Sequence, residues 1–251
     1  MDAAIAKSVD PPVFADGALT EEVEAALWLQ HQLREGRPLA VSEARIIRDA
    51  IRDAVLRCDG GIPQARIDDV SEFLGVHAVN VSALAMALAG YVRFDDAAVR
   101  EIGLAGLLHD IGMLRLPPDL LVKPGQLTGE ERRRIKEHPS LGATVIIEAD
   151  AALDLAAVVA YEHHVKLDGS GYPIFRYPRA VHYVSRLIQV CDVFHALRSP
   201  RPFRKPWPVE FILSFLNERA GFEFHPALVR ALTRMIEGSS PPPLDSVFLE
   251  E

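Results

Sequence analysis

Two clusters of histidine and acidic side chains follow apolar segments of this sequence. His109 and Asp110 come directly after one such segment, and His163 and His164 come directly after another. Imidazole nitrogens and carboxylate oxygens are ligands that suit Zn, Fe, Mn and related ions. A carboxylate can also join two ions, and two ions about 3.5–4 Å apart can activate a water and stabilise a phosphoryl group during its transfer. A single histidine is more often structural, but two such clusters in one chain favour metal binding.

Several helices are needed to bring these clusters together. Apolar residues recur at helical spacing through most of the sequence, and no alternation of apolar and polar residues lasts long enough to predict a sheet. Thr20 is the expected N-cap of the first helix, and Thr128 with Glu131 matches a capping box. We therefore predict an all-α fold, a helical bundle in which inward-facing side chains converge on one site.

The sequence divides into a small N-terminal helical region (1–61), a main helical domain (62–240) and a tail (241–251). The boundary is placed at the turn-forming segment Asp59–Pro63, and consecutive prolines mark the tail. Proline and glycine residues before Thr20 predict a loose leader. The N-terminal helices carry no chemical motif, so a sensory remnant, a dimerisation element and a packing lid all stay open.

Composition and charge limit the classes of function. The 251 residues are 49% hydrophobic, and the net charge of -8 argues against a surface for nucleic-acid polymers, which is usually basic. Two cysteines in no paired motif fit a reducing compartment. The N-terminus has no long apolar run, and no uninterrupted apolar stretch approaches about 18 residues. We expect a cytoplasmic protein without a membrane or nucleic-acid-polymer partner.

Longer motifs resemble the HD-GYP branch of the HD superfamily. Leu107–Gly112 reads LLHDIG, and His163–Pro173 reads HHVKLDGSGYP, which contains the signature residues Gly171, Tyr172 and Pro173. The resemblance extends from about Ile67 to Ile236. Further segments follow in the family's order: His77–Val81, Lys123–Thr128, His138 with Pro139, Val190–Leu197 and Arg201–Arg204.

The resemblance implies an HD-superfamily bundle that is a metal-dependent phosphodiesterase. The implied substrate is cyclic di-GMP, the products are linear pGpG or GMP, and a hydroxide between two ions attacks the phosphorus. His109 and Asp110 are the implied catalytic residues, and Arg201 and Arg204 are the implied substrate contacts. One ion would take His77, His109, Asp110 and Asp192, and the other would take His138, His163 and His164, with Asp110 as the bridge.

The implied cofactors are two divalent transition-metal ions, with Fe or Mn favoured and Zn or Ni also compatible. Besides cyclic di-GMP, the resemblance allows contact with signalling proteins of the diguanylate cyclase type through the signature loop. A homodimer is left open.

Three positions depart from the family's frequent pattern. Met113 replaces a lysine, so the chain is expected to turn over slowly or to bind without turnover. Phe73 stands where some relatives carry a glutamate that supports a third metal, so two ions are expected rather than three. His195 replaces a second aspartate, and a supporting or surface role is expected for it rather than metal ligation.

Two other functions compete with the phosphodiesterase. Met113 favours a receptor or adaptor that binds the nucleotide or a signalling partner without useful catalysis, whereas the full set of metal ligands favours the enzyme. A nucleotide monophosphatase of the wider superfamily is a third candidate, against which the Gly-Tyr-Pro loop argues. Separating the products formed from cyclic di-GMP would distinguish these functions.

Overall fold

The structure is a computed structural model that describes residues 14–58, 61–66, 69, 72–121, 123, 125–175, 180–200 and 204–241. It confirms the all-α fold class, because helices make up most of the described chain. A 3₁₀ helix occupies Ile111–Arg115. The α-helices are α1 (Thr20–Arg34), α2 (Val41–Arg57), α3 (Phe73–Tyr91), α4 (Asp96–Leu108), α5 (Pro118–Leu121), α6 (Gly129–Ile135), α7 (His138–Ala149), α8 (Asp154–Glu162), α9 (Tyr183–Arg198), α10 (Val209–Glu218) and α11 (Pro226–Ile236).

A short parallel sheet corrects the expectation of no sheet. Strand β1 (Phe14–Asp16) pairs with strand β2 (Ile62–Gln64), with Phe14 opposite Ile62. The expectation of a loose leader is therefore wrong for its described part. Three residues are too few to display an alternating pattern, and the pairing joins segments that are distant in sequence.

The N-terminal helices pack into the same hydrophobic core as the helices that follow them. Helices α1 and α2 contact α3, and α2 also contacts α4. Leu29 of α1 and Ile51 of α2 are buried in the hydrophobic cluster that extends to α11. The boundary at residues 61 and 62 stays a prediction.

Helix α3 lies at the centre of this packing. It contacts α1, α2, α4, α9 and α11, and nearly all of its side chains are buried. By length and composition alone α3 could cross a membrane, but most of it is buried inside the protein. This burial is typical of a core helix, and it places His77 and Asn80 in the interior.

Helix starts show where local sequence decides the structure. The capping box is confirmed: Thr128 accepts a hydrogen bond from the Glu131 amide, and the Glu131 carboxylate accepts one from the Thr128 amide. The expected N-cap at Thr20 is wrong by one residue, because α1 begins at Thr20 and Leu19 is its N-cap. Thr20 Oγ1 instead donates a long 3.4 Å bond to the carbonyl of Gly17.

Candidate metal centre

The structure brings together all seven side chains that the resemblance implied as metal ligands. They come from the ends of helices and from two helix interiors, and they meet between α3, α4, α7, α8 and α9. Their positions are His77 within α3, His109 and Asp110 after α4, His138 at the start of α7, His163 and His164 after α8, and Asp192 within α9.

Asp110 lies at the centre of this arrangement. Its Oδ1 lies 3.2 Å from His138 Nε2 and 3.5 Å from His163 Nε2. Its Oδ2 lies 3.6 Å from His109 Nε2 and 3.9 Å from His77 Nε2. The two carboxylate oxygens thus face two different sets of imidazoles, which is the geometry that a bridging carboxylate needs.

Ligand atoms fall into two groups that could each hold an ion. The first group, which we call the His138 half-site, contains Asp110, His138, His163 and His164. The second group, which we call the His77 half-site, contains His77, His109 and Asp192. Within each group the ligand atoms lie within 4.8 Å of one another.

Backbone carbonyls orient three of the histidines. Nδ1 of His109 lies 2.7 Å from the Gly106 carbonyl oxygen, and Nδ1 of His138 lies 2.7 Å from that of Ile135. Nδ1 of His163 lies 3.0 Å from the Ala160 carbonyl oxygen. A carbonyl only accepts, so each Nδ1 carries the proton and each Nε2 offers its lone pair to the centre.

His77 is oriented by side chains instead. Its Nε2 lies 3.0 Å from Asp192 Oδ1, and its Nδ1 lies 2.8 Å from Nδ1 of His195. The ring of Phe73 stacks on its other side, with centroids 5.2 Å apart. His195 is buried beside His77. Position 73 carries a phenylalanine ring, which offers no donor atom to a metal ion.

An unpartnered nitrogen tests whether metal ions fit these residues. His109 Nε2 is buried and has no hydrogen-bond partner, although it points at the Asp110 carboxylate from 3.6 Å. Leaving a buried polar atom unpaired is costly, and a bound cation would remove that cost. Together with the imidazole and carboxylate donors, this nitrogen fits a site for divalent ions.

Burial and mutual charge set the protonation of the centre. Burial lowers the pKa of His109 to about 4, although the charge of Asp110 opposes this. Burial alone would raise the pKa of Asp192, but its hydrogen bond with His77 and the charges of nearby histidines lower it below its usual value. Burial would lower the pKa of His163, but the hydrogen bond and charge of Asp110 raise it. The carboxylates are therefore ionised, as metal ligands must be.

Two glycines let the 3₁₀ helix and α7 approach closely. A Cβ atom on Gly112 would lie 2.0 Å from the His138 carbonyl oxygen and 2.5 Å from the Gly142 nitrogen. A Cβ atom on Gly142 would lie 3.2 Å from the Gly112 nitrogen. This approach sets the separation between Asp110, which precedes Gly112, and His138.

The signature loop packs on the same centre. The ring of Tyr172 lies 4.5 Å from that of His164, and the Tyr172 amide donates to the His164 carbonyl at 3.2 Å. Gly171 has a positive φ of 95°, and a Cβ there would lie 2.2 Å from the His164 oxygen. Pro173 follows Tyr172 through a cis peptide bond. The loop therefore forms part of the wall beside the His138 half-site.

The implied substrate contacts are only partly described. Arg201 lies outside the described residues. Arg204 Nη1 donates to the Leu197 carbonyl at 2.9 Å, and its Nη2 donates to the Ala196 carbonyl at 2.8 Å. Arg204 thus caps the C-terminal end of α9, and its contact with substrate stays a prediction. Met113 is partly buried in the 3₁₀ helix that follows Asp110.

Asn80 is a buried polar residue next to the site that the sequence analysis did not single out. Its side chain contacts His195 at 3.0 Å and is held by the backbone of Ala65. A signal was present, because residues three apart on a helix share a face, and Asn80 follows His77 by three positions.

Comparison with known proteins places this site within a family. A model of the HD domain family matches residues 62–228. The chain is 34% identical, over 213 residues, to the cyclic di-GMP phosphodiesterase PA4108 of Pseudomonas aeruginosa, a match that covers 84% of this chain and 51% of that protein. It is 33% identical, over 236 residues, to a cyclic di-GMP phosphodiesterase of Vibrio cholerae, covering 90% of this chain and 46% of that protein.

The chain also matches a phosphodiesterase named for a different cyclic dinucleotide, and its fold matches that of a solved structure. The chain is 29% identical, over 184 residues, to the 3'3'-cGAMP-specific phosphodiesterase 3 of Vibrio cholerae, covering 73% of this chain and 40% of that protein. The chain spans about half the length of the curated relatives that it matches. The fold resembles that of Bd1817, an HDG"Y"P protein from Bdellovibrio bacteriovorus, with a TM-score of 0.63, 16% identity and coverage of 88% of this chain and 70% of that one. The chain belongs to the HD domain family, in its HD-GYP branch.

Proposed function

We propose that this chain is a metal-dependent phosphodiesterase that hydrolyses cyclic di-GMP at a centre of two divalent ions. The observation that carries the proposal is the position of Asp110, whose two oxygens face the His138 and His77 half-sites. Relatives over most of the chain are named cyclic di-GMP phosphodiesterases, which supports the same substrate class here. Fe or Mn is the favoured metal, and linear pGpG or GMP is the product.

Each side chain has a definite task in this proposal. When bound, two divalent ions would supply activation of a water and charge stabilisation at the phosphoryl oxygens. Asp110 holds the two half-sites at a fixed separation, and Asp192 adds a second anionic donor to the His77 half-site. His109, His138 and His163 offer their Nε2 atoms because backbone carbonyls hold the proton on Nδ1.

The surroundings of the centre suit a nucleotide. The Tyr172 ring forms an apolar face beside His164, and Lys136 Nζ lies 5.3 Å from the centroid of that ring. A guanidinium group has five N–H donors, so Arg204 can cap α9 and still present donors to a phosphate or guanine. Arg201 is proposed as a second contact by family resemblance.

The direct test measures product and metal together. Protein purified without oxygen and loaded with Fe²⁺ or Mn²⁺ is incubated with cyclic di-GMP and, separately, with 3'3'-cGAMP, and the products are separated by chromatography. We expect linear dinucleotide or GMP from cyclic di-GMP and close to two ions per chain by elemental analysis.

Matched variants make this test specific. Asp110→Asn is expected to lose metal and to lower turnover by about a thousandfold or more, because it removes the charge that faces both half-sites. Asp53→Asn, on the exposed surface of α2, serves as the control and is expected to change neither quantity. Equal turnover in the parent and Asp110→Asn would contradict the proposal.

Met113 favours a second candidate function, binding without useful turnover. The position carries an apolar, partly buried side chain where many relatives have a lysine cation. A receptor or adaptor would bind cyclic di-GMP with both ions in place and release no product. Equilibrium binding measured beside product formation on the same metal-loaded sample distinguishes the two functions.

A further inference from the structure

One lysine beside the His138 half-site has no carboxylate partner. Lys136 lies at the C-terminal end of α6, and its side chain is exposed. Its ammonium forms no ion pair with any residue that the structure describes. Lys123, by contrast, pairs with Glu131 at 2.6 Å. A lysine cation without a counter-charge can bind an anion without first breaking an ion pair.

The backbone of Lys136 is joined to one side of the centre. Nδ1 of His138 lies 2.7 Å from the Ile135 carbonyl oxygen, and that carbonyl belongs to the peptide bond between Ile135 and Lys136. His138 itself follows two residues later, at the start of α7. This contact fixes where the lysine side chain begins, while its flexible stem leaves the ammonium able to move.

The Tyr172 ring places this ammonium next to the centre. Lys136 Nζ lies 5.3 Å from the centroid of the ring, within the range of a cation–π contact. The same ring lies 4.5 Å from that of His164 and 6.1 Å from that of His138. A cation–π contact at an exposed position is weaker than a charge-assisted hydrogen bond, so a phosphate oxygen can replace the ring as the partner of the ammonium.

The proposed substrate needs a cation outside the pair of ions. A cyclic dinucleotide has two phosphodiester groups, each with one negative charge, and the ions act on one of them at a time. The other group lies beyond the ions, where only protein side chains can offset its charge. Lys136 is suited to this task because its cation is unpaired and lies beside the wall of the His138 half-site.

We propose that Lys136 is a specificity-determining residue whose ammonium binds the phosphodiester group that the ions do not engage. The inference rests on the proposed function. On binding, the ammonium exchanges its contact with the Tyr172 ring for one with the phosphate. This contact is equally strong in the bound substrate and in the transition state, so it lowers KM and leaves kcat unchanged. It therefore favours cyclic dinucleotides over phosphodiesters that have a single phosphate.

Lys136→Gln tests this contact in the metal-loaded protein. Steady-state kinetics with cyclic di-GMP should show KM raised by about fivefold or more and kcat nearly unchanged. Lys136→Arg keeps the positive charge and should restore most of the lost affinity. An unchanged KM in Lys136→Gln, or a loss confined to kcat, would overturn the proposal.

A substrate with one phosphate separates this contact from damage to the centre. Bis(p-nitrophenyl) phosphate is a phosphodiester without a second phosphate, so its kcat/KM should be the same in the parent and in Lys136→Gln. Elemental analysis should also find the same metal content in the two proteins. An equal loss of kcat/KM with both substrates would overturn the proposal, because it would place the effect at the ions.

Arg133→Gln is the matched control, because it also removes one positive charge from this part of the chain. The Arg133 side chain is 75% exposed and pairs with Glu130, and its loss should leave KM unchanged. A rise in KM equal to that of Lys136→Gln would indicate general attraction by α6 and overturn the proposal.

A binding measurement separates this inference from the proposed function. If the metal-loaded parent binds cyclic di-GMP and forms no product, the proposed function fails, and equilibrium dialysis then compares the same proteins. A dissociation constant raised by about fivefold or more in Lys136→Gln alone would support the phosphate contact. Equal dissociation constants in the parent and Lys136→Gln would overturn it.

Discussion

His109 combines a fully buried imidazole with a ring nitrogen that has no hydrogen-bond partner. Its side chain is 0% exposed, and burial lowers its pKa to about 4. At neutral pH the ring is therefore uncharged, and no proton occupies the Nε2 lone pair that faces Asp110. His109, the histidine of the His-Asp motif, therefore offers an unprotonated Nε2 to a cation from its position after α4.

The free energy of unfolding of the metal-free protein should reflect this lowered pKa. Between pH 6.5, the ordinary pKa of histidine, and about pH 4, the unfolded chain binds a proton at His109 that the folded protein does not. Stability from this residue therefore falls as the pH is lowered through this window, by about 3 kcal/mol at full effect. Urea unfolding in the presence of a chelator at about pH 7, 5.5 and 4.5 measures it.

The His109→Gln variant isolates that contribution. It cannot take up the proton, so its stability should fall less over the same window than that of the parent. Parallel pH dependence in the two proteins would show that His109 titrates normally.

Met113→Lys should raise turnover of cyclic di-GMP. A cation next to the reacting phosphate adds charge stabilisation of the transition state, with an expected gain of about tenfold or more in kcat. Steady-state kinetics of the metal-loaded proteins measure the effect, with Met113→Leu as an uncharged control. A kcat equal to or below that of the parent would indicate that position 113 does not face the phosphate.

At the scale of elements, the separation between the 3₁₀ helix and α7 decides whether Asp110 reaches His138. Gly112 and Gly142 allow the two backbones to approach until a Cβ on Gly112 would lie 2.0 Å from the His138 oxygen. Oδ1 of Asp110 then lies 3.2 Å from His138 Nε2. The packing of these two backbones therefore sets the distance between Asp110 and His138.

Gly112→Ala should separate these elements. The added methyl meets backbone atoms, which cannot move aside as a flexible side chain can, so we expect a loss of about 2–4 kcal/mol in stability and weaker metal binding. Chemical unfolding and elemental analysis measure the two effects. Gly90→Ala is the control, since nothing lies within 4 Å of its added methyl, and it should be neutral or slightly stabilising.

Local sequence predicted some elements and not others. The capping box at Thr128 depends on two side chains three residues apart, and the structure has it as expected. Strands β1 and β2 depend on a pairing between distant segments, and β2 contains Pro63, which is unusual inside a strand. No local pattern encodes such a pairing, so the sheet was missed.

At the scale of the whole molecule, the N-terminal helices and the metal centre share one hydrophobic core. Helix α2 contacts both α3, which carries His77, and α4, which ends at His109. Ile51 of α2 is completely buried in this core. The N-terminal region should therefore unfold together with the metal centre.

Ile51→Ala tests this coupling. Loss of a buried isoleucine should lower the free energy of unfolding by about 2–5 kcal/mol and leave a single cooperative transition. Circular dichroism in urea follows the helices, and Trp28 in α1 with Trp207 before α10 supplies a fluorescence signal. Leu56→Ala, at a position of α2 that is 66% exposed, is the control and should change stability little. Two separate transitions would indicate an independent N-terminal unit.

His109, Asp110, His163 and His164 could be singled out from their chemistry, whereas His77, His138 and Asp192 were named only through the family resemblance. Their division between two half-sites needed the fold, because the distances from Asp110 depend on how α4, α7 and α8 pack. His195 and His77 are 118 positions apart, and only the packing of α9 on α3 brings them into contact. Arg204 matched its motif equally well, yet its bonds to the end of α9 were not foreseeable from spacing.

The small sheet also has a mechanical consequence. Ala65 directly follows strand β2, and its backbone forms two hydrogen bonds with the Asn80 side chain. Asn80 in turn contacts His195, which lies beside His77. On the other side, the Phe14 ring of β1 stacks on Phe194 and lies under the Arg198 guanidinium, both on α9. A force applied to the chain at Phe14 would therefore act on the surroundings of His77 through main-chain hydrogen bonds and ring contacts.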